Sequence, residues 1–229
     1  MTERSTATSR RNGGKRQPLT RERVLAVAAG LADAIGIDAL SMRRLGEELG
    51  VEAMSLYKHV ANKDAILDSI VDIVFAEVEL PAPAPAWRVP IRAWAMSKRA
   101  VLLRHRWALG VLESRMNPGA ATLRQHDAVL GAFRAGGLTV AQSGHAFACV
   151  DSYLYGFVLT ELNLPFRTSE EAQAMAATML QAMPAGAFPH LTKFAREHVF
   201  RPGYSYSAEF EVGLDLILDG LERMQGATR

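Results

Sequence analysis

Apolar residues recur along most of this chain at spacings of three and four, the period of a helix with one buried face. Between Thr20 and Gly36 the pattern runs through Val24, Leu25, Val27, Ala28, Leu31, Ala32 and Ile35. Thr20 offers the oxygen that caps such a helix and Gly36 the residue that stops it. A second, shorter helix is predicted from Ser41, with Met42, Leu45 and Leu49 inward and Gly50 at its end. A third begins near Glu52 and turns Leu56 and Val60 inward. Asn62 caps a fourth, whose apolar positions Ile66, Leu67, Ile70, Val71, Val74, Phe75 and Val78 continue to Leu80. The segment PAPAPAW over 81–87 ends it, because the residue before each proline is pushed out of the helical region. Further helices are predicted over 88–104, 107–115, 119–135, 139–163, 169–182, 190–199 and 208–225. No stretch alternates strictly enough for a strand, so the expected fold class is all-α.

With 229 residues, 49% of them hydrophobic and 22% charged, the chain can bury a core without metal or disulfide staples. Its single cysteine, Cys149, cannot form an intrachain disulfide, and no Cys/His spacing resembles a zinc site. A reducing compartment follows. The opening residues lack the apolar stretch of a secretory signal, and the uncharged run over 172–192 is interrupted by Pro184, Gly186 and Pro189. The expectation is a cytoplasmic protein with no membrane span. Six histidines (His59, His105, His126, His145, His190 and His198) stand in no recognisable catalytic constellation, and neither GxSxG nor HExxH occurs. His126 and Asp127 are neighbours on a helix and point different ways. Neither an enzyme nor a cofactor or metal requirement is indicated.

Charge is unevenly placed. Through Lys63 there are eleven Lys or Arg against seven Asp or Glu, whereas the remainder carries fifteen against seventeen. A basic quarter of this kind suits a polyanion, since neutralising phosphates releases condensed counterions, and it suits a solvated tail equally well. Residues 1–18 are nearly devoid of apolar side chains and are expected to form a flexible basic arm.

The stretch from Ser41 to Val60 has the spacing of two short helices joined at Leu49-Gly50-Val51. Gly50 can take the left-handed backbone angle of a tight corner, while Leu45, Leu49, Val51 and Leu56 lock the pair. Ala53, Ser55, Tyr57, Lys58 and His59 are then left outward on the second helix, whose width fits the major groove of B-DNA. Arg43, Arg44 and Lys63 flank it as phosphate contacts.

The run LSMRRLGEELGVEAMSLYKHVANKDAIL, from Leu40 to Leu67, resembles the DNA-binding region of the TetR (tetracycline-repressor-like) family, above all in LGV followed by SLYKHVANK. The resemblance implies an N-terminal three-helix helix-turn-helix domain and a larger C-terminal helical domain for ligand binding and dimerisation. It implies that Arg43, Ala53 and Ser55 face bases, while Ser41, Tyr57, His59 and Lys63 hold the backbone. Gly46 stands where relatives usually have alanine, at a modest expected cost to its helix. The expected organisation is an arm over 1–18, a helix-turn-helix domain with its connecting helix over 19–80, and an effector and dimerisation domain over 81–229. The implied partners are a pseudo-palindromic duplex, a small-molecule effector and a second copy of the chain. The fourth helix would carry the signal between them.

FEVGLDLILDGLERM, from Phe210 to Met224, resembles the last helix of tetracycline-repressor-type C-terminal domains, which packs in an intersubunit four-helix bundle. Phe210, Leu214, Ile217, Leu218 and Leu221 are expected at the dimer interface, with Gly213 and Gly220 permitting close helix approach. The helix over 139–163 carries Cys149, Tyr153 and Phe157 along several faces. With Trp94, Met96, Trp107, Leu112, Met116 and Phe133 they supply bulky apolar surface of the kind that lines ligand cavities. By the same resemblance Leu112 stands where tetracycline repressors place a metal-binding histidine, Thr160 and Glu161 lie near the position of a pocket glutamate, and Ser152 replaces its neighbouring histidine. That pattern points away from a magnesium-drug chelate and toward an apolar or aromatic effector. A filled C-terminal core would instead mark a DNA-binding dimer without an effector, and an exposed apolar patch one with a protein partner.

Overall fold

The computed structural model describes residues 18–114, 118–184 and 186–226, so the basic arm lies outside the described residues except for Pro18. The described residues form α1 (Arg21–Ile35), α2 (Met42–Leu49), α3 (Ala53–Leu56), α4 (Lys63–Phe75), α5 (Arg88–Arg104), α6 (Ala108–Glu113), α7 (Ala120–Ala135), α8 (Val140–Asn163), α9 (Ser169–Ala182), α10 (Pro189–Phe194) and α11 (Tyr206–Gly226), with a π-helical turn over Ala195–Val199. The chain divides into two compact units, Met1–Ile66 and Leu67–Arg229.

In the first unit the expected caps form. Thr20 Oγ1 accepts from the Arg23 amide at 3.2 Å, Ser41 Oγ from the Arg44 amide at 3.2 Å, and Asn62 Oδ1 from the Ala65 amide at 2.8 Å. Each satisfies an amide that has no partner inside its own helix. Val24, Leu25, Ala28, Leu40, Leu45, Leu49, Leu56, Val60 and Ile66 are buried. Gly50 turns the corner after α2 at φ +69°. Gly46 does more than loosen α2: a Cβ there would stand 2.8 Å from the Val51 carbonyl oxygen, so its absence lets α2 approach the turn that leads into α3.

The second unit is built around α8, with α5, α7 and α11 packed against it. α8 buries Ala146, Val150, Leu154 and Val158, one per turn, against an apolar surface that includes Ile91, Trp94, Val129, Phe133, Phe210, Leu214 and Leu218. A capping box starts the helix: Thr139 Oγ1 accepts from the Gln142 amide at 3.2 Å, and Gln142 Oε1 accepts from the Thr139 amide at 2.8 Å. Arg88 and Arg92 of α5 pair with Glu211, Asp215, Asp219 and Glu222 on α11.

The expected elements form, with three differences, the first being that the helix expected over 190–199 is α-helical only to Phe194 and π-helical from Ala195 to Val199. The fourth helix stops at Phe75 instead of reaching Leu80. Gln125 Nε2 donates to the Phe75 carbonyl at 2.6 Å, and the following residues are held by α5, where Ser97 Oγ accepts from the Glu79 amide at 3.0 Å and Arg104 and His105 bind the Glu77 carboxylate. The compact units also part inside α4, upstream of the proline-rich segment, because Val71, Val74 and Phe75 are buried in the larger body.

Asp72 of α4 closes the start of α7. Its Oδ1 accepts from the Ala121 amide at 2.7 Å, and Gly119 is required beside it, since a Cβ there would fall 2.2 Å from the same oxygen. Asp72→Ala is expected to lower unfolding stability by about 1 kcal/mol, as loss of a helix cap does, while Asp72→Asn retains most of it; urea unfolding of the three proteins checks this.

Candidate nucleic-acid interface and effector cavity

α3 is a four-residue helix that continues as a turn, in which the His59 and Val60 amides donate to the Leu56 carbonyl at 2.9 and 3.0 Å. Leu56 is fully buried, which turns the rest of the element outward. Ser41, Arg43, Arg44, Tyr57 and Lys58 are exposed, and Ala53, Ser55, His59 and Lys63 are half-buried. All nine sequence-derived contact residues thus lie at or partly at the surface of one motif. Arg43 is held by Glu47 at 2.6 Å, a pair exposed enough to exchange for a phosphate or a base edge at little cost. Sequence reasoning missed Met54, which is 73% exposed in the middle of α3. Its position between Ala53 and Ser55, both expected to face outward, was the available signal.

In the second unit a cavity of about 230 Å³ is walled by Asp68 and Val71 of α4, Leu112 of α6, Pro118 and Gly119, Thr122 and His126 of α7, and Asp151 and Tyr155 of α8. Lys98 of α5, 1% exposed, reaches Asp151 Oδ1 at 2.6 Å. Its ammonium lies 4.3 Å from the Tyr155 ring centroid, 5.2 Å from Trp94 and 5.6 Å from Phe75. Burial pushes the Lys98 pKa down, and the Asp151 carboxylate opposes that shift. His126 is also pushed below its ordinary value, first by burial and then by the charge of Lys98, with Asp151 again opposing. Thr122 Oγ1, Gln125 Oε1 and Trp94 Nε1 are buried without a hydrogen-bond partner among the described residues. A larger groove of about 420 Å³ lies at the end of α8; there Glu161 is held by Arg99 at 2.6 Å and Arg106 Nη2 donates to the Leu162 carbonyl at 2.8 Å, while Arg167 is exposed.

Residues 24–70 match the family described as bacterial regulatory proteins, tetR family, and residues 80–225 match the tetracyclin repressor-like C-terminal domain. The chain belongs to the tetR family. Among its relatives is the HTH-type transcriptional repressor DrrR1 of Streptomyces coeruleorubidus, 33% identical over 91% of this chain and 79% of that protein. Apo ActR from Streptomyces coelicolor superposes with a TM-score of 0.77 at 30% identity, covering 93% of this chain and 99% of that one. ActR in complex with actinorhodin gives 0.74 at 32% identity over 92% and 100% of the two chains. This tetR-family protein is accordingly a DNA-binding transcriptional regulator and not an enzyme. No helix among its described residues is long and apolar enough to cross a membrane.

In this tetR-family regulator the expected ligand contacts are largely corrected. Of the eight among the described residues, only Leu112 lines the cavity. Trp94 and Phe133 are core residues, Trp107 is buried edge-on to His105, and Met96 is half-buried on α5. Cys149 is exposed on α8. Tyr153 and Phe157 pack against Phe210 at 5.4 and 5.2 Å between ring centroids. Met116 lies outside the described residues. Glu161 belongs to the far groove, and Ser152 and Thr160 are exposed.

The dimer residues need a parallel correction. Phe210, Leu214 and Leu218 are 0% exposed and Leu221 6% within a single chain, because they form the face of α11 that packs on α8. Gly213 serves that intrachain contact too: a Cβ there would stand 2.2 Å from the Tyr153 hydroxyl, which donates to the Phe210 carbonyl at 3.0 Å. Ile217 is half-buried, and α11 leaves Val212 and Leu216 exposed.

Neutral His126 must gain a proton on unfolding below its ordinary value of 6.5, so the unfolded chain binds more protons there and stability falls as pH drops through that value. Thermal unfolding at pH ~7.5 and ~5.5 should show a loss on acidification that is smaller in His126→Gln, the difference residing in this one group.

Proposed function

We propose that this regulator is a dimeric, one-component cytoplasmic repressor that binds a pseudo-palindromic operator and is released when a small molecule enters the cavity walled by α4, α7 and α8. Functionally, residues 19–80 serve as the DNA-binding head with its connecting helix, and 81–229 as the effector-binding and dimerising part. Arg43, Ala53, Met54 and Ser55 meet base edges, and Ser41, Arg44, Tyr57, Lys58, His59 and Lys63 hold the backbone.

One observation carries the control mechanism. The cavity is lined by Asp68 and Val71, which stand on the same continuous helix that opens with Lys63 in the DNA-binding motif. A ligand that bears on those two residues acts on the connecting helix directly. It changes DNA affinity only if it binds the DNA-incompetent arrangement more tightly than the competent one. The complex of ActR, a relative, with actinorhodin supports an effector of this general kind.

Dimerisation is assigned to the open sides of α8 and α11, where Ala148, Ser152 and Gly156 accompany Val212 and Leu216. Small side chains let helices approach closely, and a twofold pairing presents two heads to half-sites roughly 34–36 Å apart. A protein partner on the C-terminal part is the second reading. It is favoured by the exposed apolar side chains Met175, Met179, Leu191 and Phe194 on α9 and α10.

Operator fragments selected from the source genome provide the test. Tyr57→Ala is expected to weaken binding roughly tenfold, and Lys63→Ala to weaken it while lowering the salt slope of log K by about one. If both variants bind every selected fragment like the parent, the assignment of these residues fails. Leu216→Glu is expected to sediment as a monomer at micromolar concentration, whereas the parent sediments as a dimer.

A further inference from the structure

α9 has an apolar face with almost nothing packed on it. Ala172, Met175, Ala176, Met179, Leu180 and Met183 recur at spacings of three and four, yet Ala172 is the only one of them buried. Leu191, Phe194, Ala195 and Val199 form a second stripe on α10 and the π-helical turn, and the two stripes wall a groove of about 170 Å³. No charged side chain lines this groove among the described residues. Its three methionines let it refit to what lies against it, since an unbranched thioether chain turns freely.

The apolar groove adjoins the larger one at the end of α8, because Phe166, Ala172 and Tyr204 line both. The larger groove has the opposite chemistry. Glu161 is the one acid among its lining residues, and Arg99 takes both of its oxygens, at 2.6 and 3.0 Å, while the Ser207 hydroxyl donates to it as well. Glu171 stands close by at the start of α9, outside the lining, where its Oε2 accepts from the Arg167 and Thr168 amides. Against these two acids stand Arg99 and two exposed arginines of the lining, which leaves positive charge in excess. Arg106 gives one nitrogen to the Leu162 carbonyl at 2.8 Å, and the Arg167 guanidinium has no partner among the described residues. Both therefore retain open N–H donors, and the Thr168, Ser169 and Ser205 hydroxyls add uncharged ones to the same walls.

A donor-rich end joined to an apolar slot selects its occupant by charge and by length. An ammonium head meets no open acceptor, because the fork of Arg99 already holds Glu161. An uncharged apolar molecule fills the slot and leaves both arginines to water. A small anion meets the arginines and leaves α9 uncovered. A carboxylate on an apolar chain satisfies both ends. A void of about 150 Å³ holds benzene, so the slot takes roughly six carbons, with the head and its nearest methylenes in the larger groove.

We propose that the two adjoining grooves form one binding site for an amphiphilic anion, a carboxylate of medium chain length whose head lies against Arg106 and Arg167 and whose tail lies between α9 and α10. The site shares no lining residue with the cavity walled by α4, α7 and α8, so it goes beyond the effector reading of that cavity and does not depend on it.

Calorimetric titration of the full-length protein with decanoate, hexanoate, decanol and decyltrimethylammonium, each below its micellar concentration, tests the site. Decanoate is expected to bind at least about tenfold more tightly than hexanoate, because each methylene withdrawn from water is worth roughly fourfold. It is expected to bind at least about threefold more tightly than decanol, and more tightly again than the cation, as suits a partly exposed ion pair. Arg167→Gln removes no side-chain bond of the folded protein and should weaken decanoate about threefold while leaving decanol unchanged; adding Arg106→Gln should bring the loss to about tenfold. Met179→Glu, which sets a carboxylate in the slot, should abolish decanoate binding and sediment like the parent. A tie between decanoate and hexanoate, equal or tighter binding of decanol or the cation, or indifference of decanoate to the arginine substitutions overturns the proposal. So does a Met179→Glu protein that has become monomeric where the parent is a dimer, which gives the α9 face to a second copy. Absence of decanoate binding overturns it too and leaves that face to the protein partner of the second reading.

Discussion

The functional reading depends on a reciprocal pair of hydrogen bonds between α4 and α7. Asp72 accepts from the Ala121 amide at the start of α7, and Gln125 of α7 donates to the Phe75 carbonyl at the end of α4. Asp72 satisfies an amide that α7 leaves open at its start, and Gln125 adds a second donor to a carbonyl that otherwise accepts only from the Val78 amide at 3.3 Å. Gly119 makes the approach possible by having no side chain where Asp72 lies. The cavity has α4 and α7 among its walls.

Inside the same unit the buried Lys98 sets the electrostatics. Its counter-charge is Asp151, and it is surrounded by the faces of Tyr155, Trp94 and Phe75. A buried ion pair is weak support for stability, because desolvating two charges offsets most of their attraction. Its consequences here are a His126 kept neutral by burial and a neighbouring cation, and a carboxylate held at the cavity wall.

The DNA-binding motif was legible because it is local. Caps at Thr20, Ser41 and Asn62, the left-handed Gly50 and the inward leucines act within a few residues of one another, and the outward residues follow from helical period alone. Met54 is apolar, and nothing in the helical period alone separates such a side chain left at the surface from one turned inward. The C-terminal expectations fared worse for one reason. On α11 the strongest apolar stripe was assigned to another chain, whereas the strongest stripe is the one a protomer buries for itself against α8, leaving the weaker pair Val212 and Leu216 outside. Bulky aromatic residues were likewise assigned to the cavity, but Trp94, Phe133, Tyr153 and Phe157 fill the core and the α8–α11 seam. A lysine at 98, one turn from Trp94 and one from Leu102 on a buried face, was the readable sign of a polar interior.

From its sequence alone this chain determined its helical class, the caps at Thr20, Ser41 and Asn62, the stops at Gly36 and Gly50, and the outward face of its DNA-reading motif, since each depends on groups within one or two turns of chain. Only the tertiary structure decided where α4 ends, which apolar faces belong to the protomer's own core, and that the cavity is lined by Asp68, Thr122, His126, Asp151 and Tyr155. Those outcomes depend on which distant side chain arrives first at a buried carbonyl, amide or charge, and helical period carries no information about partners fifty residues away.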